Sequence, residues 1–427
     1  MLVLSGCPRA RNAVELTVAV ANNADMLLMR SLSVAFEEQN PNVRLNWVML
    51  DENTLRQRVT TDIATRGRQF DVVMVGTYEV PIWAKKRWLA PITALPADYE
   101  VNDLIKPVRA ELSYDGLLYA LPFYGESSMT YYRKDLFAAK GLAMPPQPTY
   151  EDIERFAQVL TDKPNQLYGI CLRGQPGWGA NMALISTMVN TFGGRWFDES
   201  WHPTIDTPEW KSAVGEYIKL LTLYGPPGTS SNNFNENLAL FAGGHCAIWI
   251  DATVGAGILS DPRQSGVATK VAFAPAPIAV TSRGAHWLWA WALGVAQSSE
   301  HRSEAMKFIA WATSKDYVNT VADVKGWGAA PPGTRYSTYE NSRYLQAAPY
   351  AQLVFAALNS VDAAHPSAQP VPYTGIQYVS IPEFQAIGTQ TGQLIAGVLT
   401  GRKSLDSALA SAQLLADRAV RQAGYQH

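Results

Sequence analysis

The sequence predicts an α/β protein of two lobes, the first built on an open parallel sheet. Three observations carry this. The chain has 427 residues, more than one ordinary core holds when domains run to roughly 100–200 residues. Its first 75 residues alternate strand and helix patterns with short connections. A second α/β pattern begins after the Pro-rich stretch Pro145, Pro146 and Pro148.

The elements follow in order. Val14 to Val20 is a short apolar run, which fits a buried strand. Leu28, Leu32 and Phe36 recur every four residues, one face of a helix, and Asn40-Pro41 stops it. Val43, Leu45, Trp47 and Met49 alternate with other residues as a second strand. Leu55, Val59 and Ile63 mark a second helix, with Gly67 as its expected left-handed cap. Phe70 to Val75 is a third, fully buried strand. The order β-α-β-α-β is the signature of a parallel sheet. Ligands sit beyond the carboxyl ends of such strands, which singles out Asn22, Asn23 and Asp25 after the first strand and Thr77 and Tyr78 after the third. One of the first group is also expected to cap the following helix.

In the second region, Thr149 and Asp152 have capping-box spacing, with Ile153, Phe156, Ala157 and Leu160 as the buried face. Tyr168 to Leu172 is a strand that leads into Arg173 and a Gly-rich loop containing Trp178. Helices are expected from about Met182 to Gly193, and from Pro208 to Leu223. Cys246 to Ile250 and Trp287 to Ala296 read as strands, and Ser303 to Trp311 as a helix. Ser404 to Ala423 closes the chain as a helix with Leu405, Leu409, Ala412 and Leu415 inward.

Composition excludes several classes. Charged residues are 17% and the formal net charge is −2, with no basic cluster for nucleic acid. No run of 18 apolar residues occurs, so no membrane span is expected. No Cys/His spacing suggests a metal site, and no P-loop suggests a nucleotide, so no metal or cofactor is expected. Leu4-Ser5-Gly6-Cys7 matches a lipobox within a leader of residues 1–13, which would place a lipid on Cys7. Cys171 and Cys246 read as two buried free thiols, with a disulfide as the alternative. The 13 Trp and 19 Tyr are many for so few charges, which suggests aromatic ligand surfaces.

Distributed motifs then resemble one family. They include Phe36-Glu37-Glu38-Gln39-Asn40-Pro41, Phe70-Asp71-Val72-Val73 and Leu118-Tyr119-Ala120-Leu121-Pro122-Phe123. Met129 to Leu136, Phe192-Gly193-Gly194, Phe241-Ala242-Gly243-Gly244 and Glu304 to Ile309 follow in order. In this the chain resembles the extracellular solute-binding proteins of ABC importers, the maltose-binding-protein branch. It is most similar to the sorbitol and mannitol binders through Tyr124-Gly125-Glu126, Trp249-Ile250-Asp251 and His286-Trp287-Leu288-Trp289. The resemblance implies a type II periplasmic binding fold with a mostly parallel sheet in each lobe. It implies lobe one at 14–123 plus 286–331, lobe two at 124–285 plus 332–427, and a multi-crossover hinge. It also implies a monomer in the periplasm, free or lipid-anchored, that captures a polyol by hinge closure and delivers it to membrane permease subunits. A mono- or oligosaccharide is the alternative ligand.

A polyol is uncharged and dense in hydroxyls, so its site needs charge-assisted donors and acceptors and a flat face for its C–H side. Glu126 and Asp251 are the carboxylate candidates and Arg173 the donor, unless Arg173 only pairs with a carboxylate. Trp178, Trp249, Trp287, Trp289 and Trp327 are the stacking candidates, with Tyr124 beside the crossover. Trp287 and Trp289 share strand parity, so both could face the ligand. Asp251→Ala is expected to abolish binding and leave the unliganded melt nearly unchanged. Casting Glu126 and Asp251 as the two carboxylates of a glycoside hydrolase, about 5–10 Å apart, finds no support in their spacing.

Overall fold

The computed structural model describes residues 13–426. The Leu4-Ser5-Gly6-Cys7 run lies outside them. The chain forms two compact units, and it passes between them at residues 124/125, 289/290 and 324/325.

The first unit is a five-stranded sheet. β1 (Val14–Ala21) pairs in parallel with β2 (Val43–Leu50) on one side and β3 (Val72–Gly76) on the other. A two-residue hairpin, β4 (Ser113–Tyr114) and β5 (Leu117–Leu118), precedes β6 (Ala120–Glu126), which closes the far edge. The remaining strand, β11 (Trp289–Val295), lies antiparallel to β3 in the order β2-β1-β3-β11-β6. β3, β11 and the Val18–Ala21 half of β1 are buried at every residue and apolar throughout, because they are covered on both faces.

Two local details differ from the sequence expectation. The first helical stretch is two helices, Ala24–Leu32 and Val34–Gln39, joined at Ser33. Its buried face is Met26, Met29, Ser33 and Phe36, spaced three or four apart, while Leu28 and Leu32 flank that face and stay half-buried. The helix Glu52–Thr65 is capped in the left-handed region by Arg66 at φ 55°, not by Gly67. Gly67 is needed for another reason: a Cβ there would collide with the Asp62 carboxylate.

The second unit holds β7 (Ser128–Arg133), β8 (Tyr168–Cys171), β9 (Cys246–Ala252) and β10 (Val271–Pro275) in the order β10-β7-β9-β8. Only β8 and β9 pair in parallel; β7 is antiparallel to both β9 and β10. The expected mostly parallel sheet is therefore confined to the first unit. The physical reason is the order of the strands. Of the neighbours in this sheet only β8 and β9 are consecutive in the chain and joined by a helical crossover, the connection that makes a parallel pair. The capping box at Thr149 and Asp152 forms as read, and Ile153, Phe156, Ala157 and Leu160 are buried. The closing helix Leu405–Gln422 buries Ala408, Leu409, Ala412, Ala416 and Val420; Leu405 and Leu415 are only half-buried.

Cys171 and Cys246 form a disulfide, which corrects the free-thiol reading. They belong to neighbouring strands and both are fully buried, a proximity that 75 residues of separation hid in the sequence. Among the described residues no helix is long and apolar enough to cross a membrane. No cluster of three metal-ligating side chains occurs among them either. Replacing both cysteines with alanine should lower the unfolding free energy by about 2–4 kcal/mol. Urea denaturation checks this, and an unchanged midpoint would show that the bond contributes nothing.

Candidate functional site

Two buried charged groups of the second unit, Arg173 and Asp251, meet at the ends of β8 and β9. Arg173 leaves β8 two residues past Cys171, where Gly174 lets the chain turn against the Thr229 carbonyl with no room for a Cβ. Asp251 sits near the end of β9 and is 1% exposed. Arg173 Nε donates to both Asp251 oxygens at 3.0 Å, and Nη2 donates to Oδ1 at 2.6 Å. Arg173 Nη1 donates to the Gly179 carbonyl at 2.9 Å. Asp251 also accepts from Trp249 Nε1 at 3.1 Å and from the Ala252 backbone N–H at 2.6 Å. The Arg173 carbonyl accepts from the Tyr217 hydroxyl at 2.7 Å.

Aromatic faces complete this arrangement. The Arg173 guanidinium stands 5.6 Å from the Trp287 ring centre and 5.7 Å from that of Phe234. Both distances are within the range of a cation–π contact. Trp287 Nε1 is buried and has no hydrogen-bond partner among the described residues, and the same holds for Ser127 Oγ. Such groups cost about 1–3 kcal/mol each when left unmade, so they mark places where a polar ligand can repay the cost. Behind them, Tyr131 stacks on Trp249 at 4.7 Å and donates to the Ala252 carbonyl at 2.5 Å. Burial pushes the Tyr131 hydroxyl well above its ordinary pKa, and the Asp251 and Glu126 charges add to this. It therefore stays a neutral donor.

The sequence-derived residues fall into groups. Arg173, Asp251 and Trp287 come together as described. Trp249 does not offer a stacking face: it is fully buried among Tyr131, Phe234 and Phe241, and it serves Asp251 through its indole N–H. Trp287 and Trp289 do not share an environment. β11 starts at Trp289, so strand parity does not extend to Trp287. Trp289 packs with Trp178 and Tyr378 at 5.9 and 6.2 Å, and Trp178 also meets Phe384. Trp327 lies half-buried on a short 3-10 turn, Trp327–Ala329. Glu126 ends β6, half-buried.

In the first unit, Asn23 caps its helix by accepting from Met26 N–H at 2.9 Å, and Asn22 is exposed. Thr77 and Tyr78 are buried after β3. Tyr124 is buried edge-on to Phe123 at 5.0 Å. Desolvation raises the Asp25 carboxyl from 3.8 to about 6, opposed by a backbone hydrogen bond. Sequence reasoning missed Phe234, Tyr217 and the Gly179 carbonyl. Phe234 opens a helix behind the Asn233–Glu236 capping box, and that box was the one available signal.

The comparisons with known proteins decide the family. The model of the bacterial extracellular solute-binding protein family matches residues 21–319. The chain belongs to that family. Its members are binding components of transport systems, not enzymes. A mannitol-binding protein of Pseudomonas aeruginosa is 54% identical over 416 residues, covering 97% of this chain and 95% of that protein. An ABC transporter solute-binding protein from Agrobacterium vitis, solved with bound D-mannitol, is 51% identical with a TM-score of 0.95. That alignment covers 97% of this chain and all of the other. A solute-binding protein from Agrobacterium radiobacter in complex with ribitol shares the fold at 24% identity and a TM-score of 0.83 over 95% of this chain and 99% of that one.

The geometry changes one expectation about this binding protein. Removing the Asp251 carboxylate leaves the buried Arg173 charge without its partner, which typically costs about 3–5 kcal/mol. Asp251→Ala should therefore lower the urea midpoint of the unliganded protein markedly; a melt equal to wild type would show that the pair is solvated. Asp25 gives a pH signature. A folded value raised above the ordinary one favours folding fully below about pH 3.8, and the contribution is lost as pH rises through about 6. Between those values Asp25→Asn should lose less stability with rising pH than wild type, read from melting temperatures across the interval. Parallel curves would count against a desolvated Asp25.

Proposed function

We propose that this chain captures a linear polyol, D-mannitol first among them, as the binding component of an ABC importer. The carrying observation is the buried Arg173–Asp251 pair set against Trp287 and Phe234. A hydroxyl both donates and accepts, so a site that fixes a guanidinium and a carboxylate side by side matches it in both senses. The aromatic rings offer surface to the C–H side of the carbon chain. Bonds to fixed, buried partners also penalise ligands that lack a hydroxyl at the right place. The Pseudomonas aeruginosa relative is a mannitol-binding protein and the Agrobacterium vitis relative was solved with D-mannitol, which supports the polyol class.

The remaining parts of the reading follow from the family. The three chain crossings are the proposed hinge, and ligand shifts the population toward the closed form. Permease subunits in the membrane are the proposed partner, with the protein a monomer in the periplasm. The Cys171–Cys246 disulfide supports an oxidising compartment. Cys7 is the proposed attachment point of a lipid anchor.

A thermal-shift panel of mannitol, sorbitol, ribitol, arabitol and common sugars tests the proposal. At a ligand concentration about 100-fold above its dissociation constant the stabilisation is about 2.7 kcal/mol. Mannitol should give the largest shift. A panel in which no polyol moves the melting temperature removes the proposal, and a sugar acting alone moves the ligand class.

A further inference from the structure

The second unit holds a cavity of about 400 Å³ whose lining includes none of Arg173, Asp251, Trp287 and Phe234. That volume is in the range of small-molecule pockets. Its apolar lining includes Pro275 at the end of β10, Leu353 and Ala357 of the helix Ala351–Asn359, and Ile376. Its polar lining comes from three loops. Gln147 precedes the capping box at Thr149, Arg283 and His286 lie ahead of β11, and Asp362 and His365 follow the helix.

The loops are tied to their surroundings by main-chain contacts. Gly284 has φ 69°, and a Cβ there would collide with the carbonyl of Pro366, the residue after His365. The Gly375 N–H donates to the Ala363 carbonyl at 2.8 Å, and Asn190 Nδ2 donates to the Ile376 carbonyl at 2.9 Å. Gln147 Nε2 donates to the Ala276 carbonyl at 2.9 Å. The cavity is therefore built before an occupant arrives, which lowers the ordering cost of binding.

Its charges suit one kind of molecule. The Arg283 guanidinium makes no hydrogen bond or ion pair among the described residues. The Asp362 carboxylate accepts from His365 Nδ1 at 2.8 Å and from the Ala364 N–H at 3.2 Å. The His365 bond above all holds its carboxyl below the ordinary value, so it is negative at neutral pH. Arg283 and Asp362 do not pair with each other, so two opposite charges stand in one cavity without meeting. His286 Nδ1 donates to the Ser128 carbonyl at 3.0 Å, which fixes the tautomer and leaves Nε2 as an acceptor. Burial lowers the pKa of this ring and keeps it neutral. A carboxylate suits Arg283, an amine suits Asp362 and the His286 acceptor, and a hydrocarbon body suits the apolar lining.

We propose that this cavity is a second ligand site, taking a small zwitterion whose carboxylate pairs with Arg283, whose amine pairs with Asp362 and whose hydrocarbon body lies on Leu353, Ala357 and Ile376. It is separate from the proposed polyol site: Trp287 follows His286 in sequence but does not line the cavity.

The test is calorimetric titration of the full chain with 4-aminobutanoate, 6-aminohexanoate and 8-aminooctanoate. Hexanoate and hexylamine probe each end alone. At least one amino acid should bind, and each one-ended probe should bind about 10-fold more weakly, the effect of one lost charge-assisted hydrogen bond. Arg283→Gln should reduce the amino acid to the affinity of hexylamine and leave hexylamine itself unchanged. Asp362→Asn should reduce it to the affinity of hexanoate and leave hexanoate unchanged. A merely structural role of either charge would weaken every probe alike. Both residues are exposed, so both variants should keep the melting temperature and the mannitol affinity of wild type. Three results overturn the site: no amino acid binds, Arg283→Gln weakens all probes equally, or saturating mannitol excludes the amino acid.

Discussion

The salt bridge between Arg173 and Asp251 is the constraint on which the second unit's site depends. Both groups leave water, and neither would be tolerated there alone. The carboxylate is held by three kinds of donor: the guanidinium, the Trp249 indole and the Ala252 backbone. The guanidinium in turn is fixed by the Gly179 carbonyl and flanked by two rings. Each partner is thereby locked in direction before any ligand arrives. Preorganisation of this kind reduces the ordering cost of binding. It also explains why so many aromatic side chains surround a charged pair: they exclude water and so strengthen its electrostatics.

A comparable chemical solution occurs in each unit. Arg56 pairs with Glu79 over Trp291 in the first; Arg173 pairs with Asp251 beside Trp287 in the second. In both, a carboxylate near a strand end accepts backbone N–H as well as guanidinium, Gly76 in one case and Ala252 in the other. The indoles differ in setting. Trp291 lies within β11 and Trp287 ahead of it, on either side of the chain crossing at 289/290. One short stretch of sequence thus supplies an aromatic floor to two separate charge pairs.

Much of the local structure was legible because it depends on near neighbours. The capping box at Thr149, the buried face of its helix, the apolar strands β1 and β3 and the cap at Asn23 are set by residues three or four apart. The helix broken at Ser33 was not legible, since its apolar residues fit an unbroken period nearly as well. Arg173 and Asp251 were legible as strand-end polar residues. That they bind each other was left open, because the contact spans 78 positions.

The sequence by itself determined the α/β class, the family resemblance and the placement of polar residues at strand ends. These follow from periodicity, capping and motif order, which are properties of contiguous residues. Tertiary structure alone decided which charges meet, that Cys171 and Cys246 join, that the second sheet is largely antiparallel and that Trp249 is core. All four depend on strand pairing between distant segments, and no local pattern encodes the partner. Pairing also decided what Asp251 is. The sequence offered it as a ligand contact that could be removed at no cost to the fold, and burial against Arg173 makes it a structural charge as well.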